Sequence, residues 1–186
     1  MENANQEKII LTSQDIEKSL KRLSHQILEK TPNPTKLALV GIQTRGVPLA
    51  KRIKTIIRDI SRVDLPLGEL DITLYRDDLT VIGPKPIVKK TVIDFDIYQK
   101  VIILIDDVLF TGRTIRAALD QIMDFGRPEK IRLLTLIDRG HRELPFRADF
   151  VGKNIPTARD QIVEVKLKEV DSQDKAVLRG KINPLK

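Results

Sequence analysis

Three short apolar runs constrain the fold of this chain more strongly than any other feature. They are Leu37–Ile42, Val101–Ile105 and Ile131–Ile137, and each has the length of a buried strand. Apolar residues at helical spacing precede the first run and follow both the first and the second. Strands that alternate with helices predict an α/β fold with a doubly wound, mostly parallel sheet flanked by helices. In such sheets a ligand binds beyond the carboxyl ends of the strands.

Length and composition exclude several classes of protein. The 186 residues fit one domain over 1–186, and the lack of cysteine excludes disulfides, thiolate catalysis and cysteine-based zinc sites. No apolar run reaches the roughly 18 residues of a membrane helix, and the N-terminus lacks an apolar signal core, so we expect a cytoplasmic protein without a membrane partner. The net charge of +7 favours an anionic partner, whereas 4% aromatic residues argue against base stacking.

The segment Ile102–Thr114 combines the residues needed to hold a phosphorylated sugar. The strand is predicted to end at Asp106 and Asp107, whose carboxylates would accept hydrogen bonds from sugar hydroxyls or hold a hydrated divalent cation. The loop that follows contains Gly112, which lets the backbone approach a ligand, and free N–H groups at the start of a helix, which suit a phosphate. Neither G-x-x-x-x-G-K-[ST] nor G-x-G-x-x-G occurs in the chain.

This order of apolar strand, acid pair and T-G-x-T loop resembles the fingerprint of the type I phosphoribosyltransferases. Three further segments, Gly68–Leu79, Asp138–Pro145 and Gly152–Thr157, resemble the bacterial pyrimidine-operon regulators that also work as uracil phosphoribosyltransferases. The resemblance runs from about Ile9 to Asp171 and departs after Leu79 and in the tail. It implies a type I phosphoribosyltransferase fold with a flexible lid hairpin at about 76–99 and a small hood at about 139–162.

The resemblance implies that uracil and 5-phosphoribosyl-1-pyrophosphate (PRPP) react to give UMP and pyrophosphate. Mg²⁺ would act mainly through the pyrophosphate and water, so no residue is assigned as a metal ligand. In the catalytic set, Asp106 and Asp107 would hold the ribose hydroxyls, and Arg45 and Arg76 would steady the pyrophosphate. The chemistry of the residues and the resemblance together predict substrate contacts from Thr44, Arg45, Gly46, Arg76, Asp106, Asp107, Val108, Leu109, Phe110, Thr111, Gly112, Arg113, Thr114, Arg139 and Val163.

Two basic segments raise the question of whether the protein binds RNA. A first helix is predicted at Ser13–Glu29, with a cap at Thr12 and Asp15 and a basic face opposite its apolar face. A solvated charged surface would explain the basic face of this helix. A hood over an anionic ligand would explain equally well the second basic segment, which consists of His141, Arg142, Arg147 and Lys153. The resemblance implies instead that both grip a hairpin of the leader mRNA, favoured by UMP, which makes the protein a transcription-attenuation regulator. The candidate RNA contacts are Lys21, Arg22, His25, Lys30, His141, Arg142, Arg147 and Lys153.

Two other functions stay open at this point. One is a purine-base phosphoribosyltransferase without an RNA role, against which the His141–Pro145 segment argues. The other is a nucleotide-sensing regulator with little turnover, because one ligand site serves both activity and sensing. The resemblance also implies a homo-oligomer, a dimer or larger. In the local pattern, residues 70–74 alternate like a strand, and residues 140–159 are predicted to be irregular and basic.

Overall fold

A five-stranded parallel sheet forms the centre of the computed structural model, which describes residues 7–73 and 90–180. Its strand order is β3-β2-β4-β5-β6. The predicted doubly wound parallel sheet is therefore confirmed. Its strands are β2 (Leu37–Ile42), β3 (Leu67–Leu70), β4 (Val101–Leu109), β5 (Lys130–Asp138) and β6 (Phe150–Asn154).

Helices cover both faces of this sheet because the β4 side chains alternate between two apolar clusters. Ile103 and Ile105 pack with α1 (Ser13–Lys30) and α2 (Gly46–Ser61) on one face. Ile102 and Leu104 pack with α3 (Arg113–Asp124) on the other. Burial on both faces explains why the central strands are continuous apolar runs rather than alternating ones.

A second, three-stranded antiparallel sheet packs on the face covered by α1 and α2. It consists of β1 (Lys8–Leu11), β8 (Lys175–Arg179) and β7 (Ile162–Lys166), in that order, and the short helix α4 (Lys168–Asp171) connects β7 to β8. Buried side chains of all three strands join the same apolar cluster as α1 and α2. The sheet thus connects both ends of the described chain to the core.

Three local predictions were wrong. The strand that carries the acid pair does not end at Asp106 and Asp107, because β5 supplies hydrogen-bond partners as far as Leu109. The segment 140–159 is not wholly irregular, because β6 pairs with β5 within it. The strand predicted at 70–74 is β3, which ends at Leu70, where its pairing with β2 ends. Pairing with distant segments overrides the local pattern in each case.

The lid predicted at 76–99 lies only partly among the described residues, and Arg76 lies outside them. Residues 90–99 are described, and Val92 forms a bridge to Glu69 beside β3. Beyond this bridge, Ile93 and Phe95 pack against the apolar cluster that contains α3.

Gly46, the first residue of α2, allows the helix to begin in contact with β4. A Cβ atom at this position would lie 2.3 Å from the carbonyl oxygen of Ile105. A methyl group therefore cannot fit unless the helix moves away from the strand. Since Asp106 follows Ile105, this contact also sets the distance between the start of α2 and the acid pair.

We expect Gly46→Ala to lower the free energy of unfolding by about 1–3 kcal/mol, the usual cost of forcing extra volume into a packed site. Chemical denaturation measures the change. Gly180→Ala is the control, because among the described residues, apart from its chain neighbour, no heavy atom lies within 4 Å of a Cβ built there. Equal stability of the two variants would show that the start of α2 tolerates displacement.

Candidate active site

A cavity of about 380 Å³ opens at the carboxyl end of β4, where the sequence predicts the phosphate loop. Gly112 lies in the left-handed region with φ +94°, and a Cβ there would lie 2.9 Å from Cδ2 of Phe146. Gly112 has no side chain to cap α3, and the Arg113 N–H donates to Thr111 Oγ1 over 3.3 Å, so the N–H groups that follow in the first turn are the ones suited to an anion. The cavity is lined by Asp106, Val108, Leu109, Phe110, Thr111, Gly112, Arg113, Thr114, Ile115 and Glu143.

The two neighbouring aspartates occupy different surroundings. Asp106 is buried and lines the cavity, whereas Asp107 is not among the lining residues. Successive side chains of a strand point to opposite faces, and both residues lie inside β4. Backbone N–H groups hold both carboxylates: Asp107 N donates to Asp106 Oδ1 over 3.0 Å, and Val108 N donates to Asp107 Oδ1 over 3.0 Å. The structure therefore places only Asp106 on the wall of the phosphate-loop cavity.

Burial raises the pKa of the Asp107 carboxyl, because an ionised group loses hydration inside the protein. The positive charge of Arg45 opposes that shift, as do hydrogen bonds from the Asp106–Val108 segment. Arg45 thus acts electrostatically on Asp107. A second cation near this carboxylate would lower its pKa further and favour the ionised form.

The turn Thr44-Arg45-Gly46 lies between β2 and α2, as predicted. The Gln43–Thr44 peptide bond is cis, Thr44 is exposed, and Gly46 is buried. The guanidinium of Arg45 binds the Asp171 carboxylate through two donors, Nη2 to Oδ1 at 2.7 Å and Nε to Oδ2 at 3.0 Å. Sequence reasoning did not single out Asp171, and only its position at the end of the resemblance to the regulators pointed to it.

Arg139 is buried at the end of β5 and has an unused donor. Its Nη2 donates to the carbonyl oxygens of Ala158 and Arg159 at 3.2 and 3.4 Å, and its Cζ lies 4.1 Å from the centre of the Phe110 ring. Nε is buried and has no hydrogen-bond partner among the described residues. Burial lowers the pKa of this guanidinium. A buried N–H without an acceptor is costly, so this group is suited to an oxygen atom of a ligand.

An ion-pair chain connects the phosphate loop to the hood. Arg113 Nε donates to Glu143 Oε2 at 2.8 Å, and Arg159 Nη2 donates to Glu143 Oε1 at 3.1 Å. The hydrogen bond from Arg113 is the main cause that lowers the pKa of Glu143. Backbone N–H groups of Glu143 and Leu144 also donate to the carbonyl oxygen of Thr111. A change in the phosphate loop therefore acts directly on the segment that follows β5.

Val163 lies in β7, and its buried side chain belongs to the core. The strand is an edge of the three-stranded sheet, paired with β8 on one side. An edge strand can present backbone groups to a ligand, and this is the way in which the substrate contact predicted at Val163 could be made.

The structure brings three residues of the first basic segment together with Lys153 of the second. On α1, Arg22 Nη2 donates to the carbonyl oxygens of Val151 and Gly152 on β6, and Lys30 Nζ donates to that of Asp149. Lys153, also on β6, donates to Ile10 of β1. We call the side of the molecule formed by Arg22, His25, Lys30 and Lys153 the α1–β6 basic surface.

The remaining four predicted RNA contacts have different surroundings. Lys21 pairs with Glu17 on α1, and Arg147 is exposed. His141 Nε2 lies 2.7 Å from the Thr157 carbonyl oxygen, and its ring packs edge-on against Phe110. Arg142 is turned inward. Its guanidinium donates to the carboxylate of Asp138 and to the carbonyl oxygens of Phe110, Gly140 and Phe146.

The donor set of the site suits a hard cation that is shared with a substrate. Among the described residues no group of three or more histidine, cysteine, aspartate or glutamate side chains could hold a metal ion. Two neighbouring carboxylates are present in β4, and Mg²⁺ is usually bound by one or two carboxylates with water and substrate phosphates. Within residues 7–73 and 90–180, no helix is long and apolar enough to cross a membrane.

Residues 6–172 match the family model of the phosphoribosyl transferase domain. The chain belongs to this family. It is 57% identical to "Bifunctional protein PyrR" of Roseiflexus sp. strain RS-1 over 89% of this chain and 90% of the relative. It is 54% identical to the protein of the same name from Thermus aquaticus, over 91% and 93% of the two chains. The predicted resemblance to the pyrimidine-operon regulators is therefore confirmed.

Solved structures show the same fold at lower identity. A hypoxanthine phosphoribosyltransferase of Trypanosoma cruzi superposes with a TM-score of 0.71 at 20% identity, covering 97% of this chain and 94% of that chain. A hypoxanthine phosphoribosyltransferase of Staphylococcus aureus gives 0.67 at 22% identity, covering 95% and 93%. At this identity the likeness concerns the fold alone, and the predicted type I phosphoribosyltransferase fold is confirmed.

Asp107→Asn should change how stability depends on pH. The folded chain raises the pKa of this carboxyl above its unfolded value, so the parent's free energy of unfolding falls as pH rises through that interval. The amide does not titrate, so the variant should lack this decline and gain stability relative to the parent from about pH 4 towards pH 7. Chemical denaturation across that range measures the difference. Asp120→Asn, a change on the surface of α3, is the control; parallel curves for Asp107→Asn and the parent would contradict the shift.

Proposed function

We propose that the chain transfers the 5-phosphoribosyl group of PRPP to uracil, which gives UMP and pyrophosphate. The observation that carries this proposal is the cavity beyond β4, which combines a phosphate loop with the Asp106 carboxylate in a chain of this family. Curated relatives at more than 50% identity favour this reading over a purine-base enzyme. The similarity to hypoxanthine enzymes does not decide the base, because it concerns the fold.

The reaction breaks the bond between C1 of ribose and the pyrophosphate oxygen and forms a bond from C1 to a ring nitrogen of uracil, and the proton of that nitrogen passes to water or to the departing pyrophosphate. Backbone N–H groups of the 111–114 loop would bind the 5-phosphate, and Asp106 and Asp107 the ribose hydroxyls. Fixing the sugar in this way supplies orientation, and the acid pair stabilises positive charge that develops on the ribose. The Arg45 guanidinium would steady the departing pyrophosphate. When bound, Mg²⁺ would neutralise part of the pyrophosphate charge.

We assign Arg139 to a contact with the base or with the pyrophosphate. Its buried Nε has no acceptor among the described residues, and a carbonyl oxygen of the base or an oxygen of the pyrophosphate would supply one. The Phe110 ring, 4.1 Å from its guanidinium, limits where that donor can point. The edge of β7 near Val163 would offer backbone groups to the same base. Arg76 lies outside the described residues, and its contact with the pyrophosphate stays a prediction.

We also propose that the protein binds the leader mRNA of pyrimidine genes and that UMP strengthens the binding. The α1–β6 basic surface supports this proposal, since it joins positive charges from two distant segments on one side of the molecule. The ion pairs that join Arg113 to Glu143 and Glu143 to Arg159 offer a route by which a bound 5-phosphate could change the position of the hood. RNA binding and UMP binding would then strengthen each other by the same factor.

A sensor with little turnover would use the same cavity, and only a rate measurement separates it from an enzyme. We further propose that the protein binds Mg²⁺, PRPP and uracil, that it forms a homo-oligomer, and that it is located in the cytoplasm.

The combined change Asp106→Asn and Asp107→Asn should remove most UMP formation. Each oriented hydrogen bond to a charged group contributes roughly 1.5–3 kcal/mol, so we expect a loss of about a hundredfold or more. Initial rates with uracil, PRPP and Mg²⁺ measure it, and thermal unfolding checks that the buried pair still folds. A stable variant with turnover near that of the parent would contradict the assignment.

Changing His25 and Arg147 to Gln should weaken binding of the leader hairpin and flatten its dependence on salt. Each lost phosphate contact should reduce the log–log salt slope by about 0.7 for single strands, and by somewhat more for a duplex. Arg127→Gln is the matched control, because Arg127 is on the α3–β5 turn, before the amino end of β5. Arg142 is avoided because its internal hydrogen bonds support the hood.

Filter binding with leader and scrambled hairpins, with and without UMP, measures these effects. Equal affinity for both hairpins would contradict specific RNA binding. The same small loss of affinity in the His25→Gln, Arg147→Gln double variant and in Arg127→Gln would also contradict it, and the protein would then be only an enzyme with a positively charged surface.

A further inference from the structure

The carboxylate of Asp171 holds Arg45 from the side of the C-terminal segment. Oδ1 accepts from Nη2 at 2.7 Å, and Oδ2 accepts both from Nε at 3.0 Å and from the backbone N–H of Leu167 at 2.9 Å. Both side chains are largely buried, with 29% of Arg45 and 17% of Asp171 exposed. The Leu167 contact fixes the carboxylate, and the carboxylate then fixes one edge of the guanidinium.

This geometry determines which part of Arg45 can meet a ligand. Asp171 accepts one N–H from Nε and one from Nη2, which leaves both N–H groups of Nη1 and the second N–H of Nη2, on the edge of the guanidinium that contains Nη1, for another acceptor. The hydrogen bonds that Arg45 donates to Asp171 are the main cause that raises the pKa of Arg45, and the charge of Asp107 adds a weaker electrostatic attraction. The guanidinium therefore binds a carboxylate of α4 and is attracted by a carboxylate of β4.

We propose that Asp171 is a positioning residue for the leaving pyrophosphate, because it presents the Nη1 edge of Arg45 to that group. This inference rests on the proposed transferase function. A long side chain that is ordered before the ligand arrives loses less rotational freedom on binding. The short helix α4 thereby becomes part of the pyrophosphate site, although it lies far from the phosphate loop in sequence.

The chain provides a matched control three residues away. Asp174 Oδ1 accepts from Arg52 Nη2 at 2.7 Å and from the N–H of Lys168 at 2.8 Å, and Oδ2 accepts from Arg52 Nη1 at 3.1 Å. Asp174, like Asp171, thus joins an arginine near α2 to a backbone N–H of the α4 segment, although Arg52 also donates to Glu169 through Nε and Nη2. Asp174→Asn therefore removes an arginine-bound carboxylate from the same segment without changing Arg45.

Asp171→Asn is the sharpest probe of the proposal. The remaining oxygen can keep its contacts with Leu167 N and Arg45 Nε, whereas the amide nitrogen would face Nη2, donor against donor. We expect KM for PRPP and the inhibition constant for pyrophosphate each to rise by roughly tenfold to a hundredfold, the scale of a misplaced binding group. KM for uracil and the Kd of UMP, which contains no pyrophosphate, should stay within about twofold of the parent.

Steady-state kinetics and calorimetric titration with UMP and with pyrophosphate measure these constants in the parent, Asp171→Asn and Asp174→Asn. A selective loss for PRPP and pyrophosphate in Asp171→Asn alone supports the positioning role. Equal effects in the two variants, a parallel loss of UMP binding, or tighter pyrophosphate binding after Asp171→Asn would overturn it. If the parent itself forms no UMP, the proposed transferase function fails, and pyrophosphate titration still decides the role of Asp171.

Discussion

Parallel hydrogen bonding among β2, β4 and β5 determines where every loop of the site lies. Because these strands run in the same direction, their carboxyl ends meet at one edge of the sheet. The turn at Arg45, the loop at Gly112 and the side chain of Arg139 follow these three strands in turn. A site assembled from three distant segments thus depends on one ladder. The close contact of Gly46 with Ile105 then fixes how near α2 begins to that edge.

Two arginines at this edge of the sheet, Arg45 and Arg139, have different kinds of partner. Arg45 binds one carboxylate and is attracted by a second, whereas Arg139 contacts two carbonyl oxygens and the face of an aromatic ring. Burial raises the pKa of Asp107 and lowers that of Arg139, so both groups lack some of the stabilisation that their charged forms have in water. A negatively charged ligand beside Arg139, or a cation beside Asp107, would restore it.

The sequence predicts well those features that depend on a short stretch of chain. Thr12 and Asp15 form the expected capping box at the start of α1. The strand β2 has the predicted bounds, because a continuous apolar run between polar segments leaves little choice. The loop predicted after the acid pair is also present, and its Gly112 takes a left-handed conformation that favours glycine.

Features that depend on a distant partner were harder to predict. The strand β6 has two half-buried and two exposed residues after Phe150, and only its pairing with β5 makes it a strand. The inward turn of Arg142 could not be expected from a basic segment, since four acceptors from three separate stretches create its position. The ion pair between Arg45 and Asp171 joins residues 126 positions apart, and no local sequence pattern predicts it.

The pairing of β1 with β8 has a consequence for the order of folding. The central parallel sheet uses segments between residues 37 and 154, whereas the second sheet needs strands from both ends of the described chain. Closing so long a loop costs more entropy when the chain is unfolded than when the parallel sheet already holds the ends near each other. The small sheet should therefore form last, and its edge at β7 would complete the binding site only after the phosphate loop is in place.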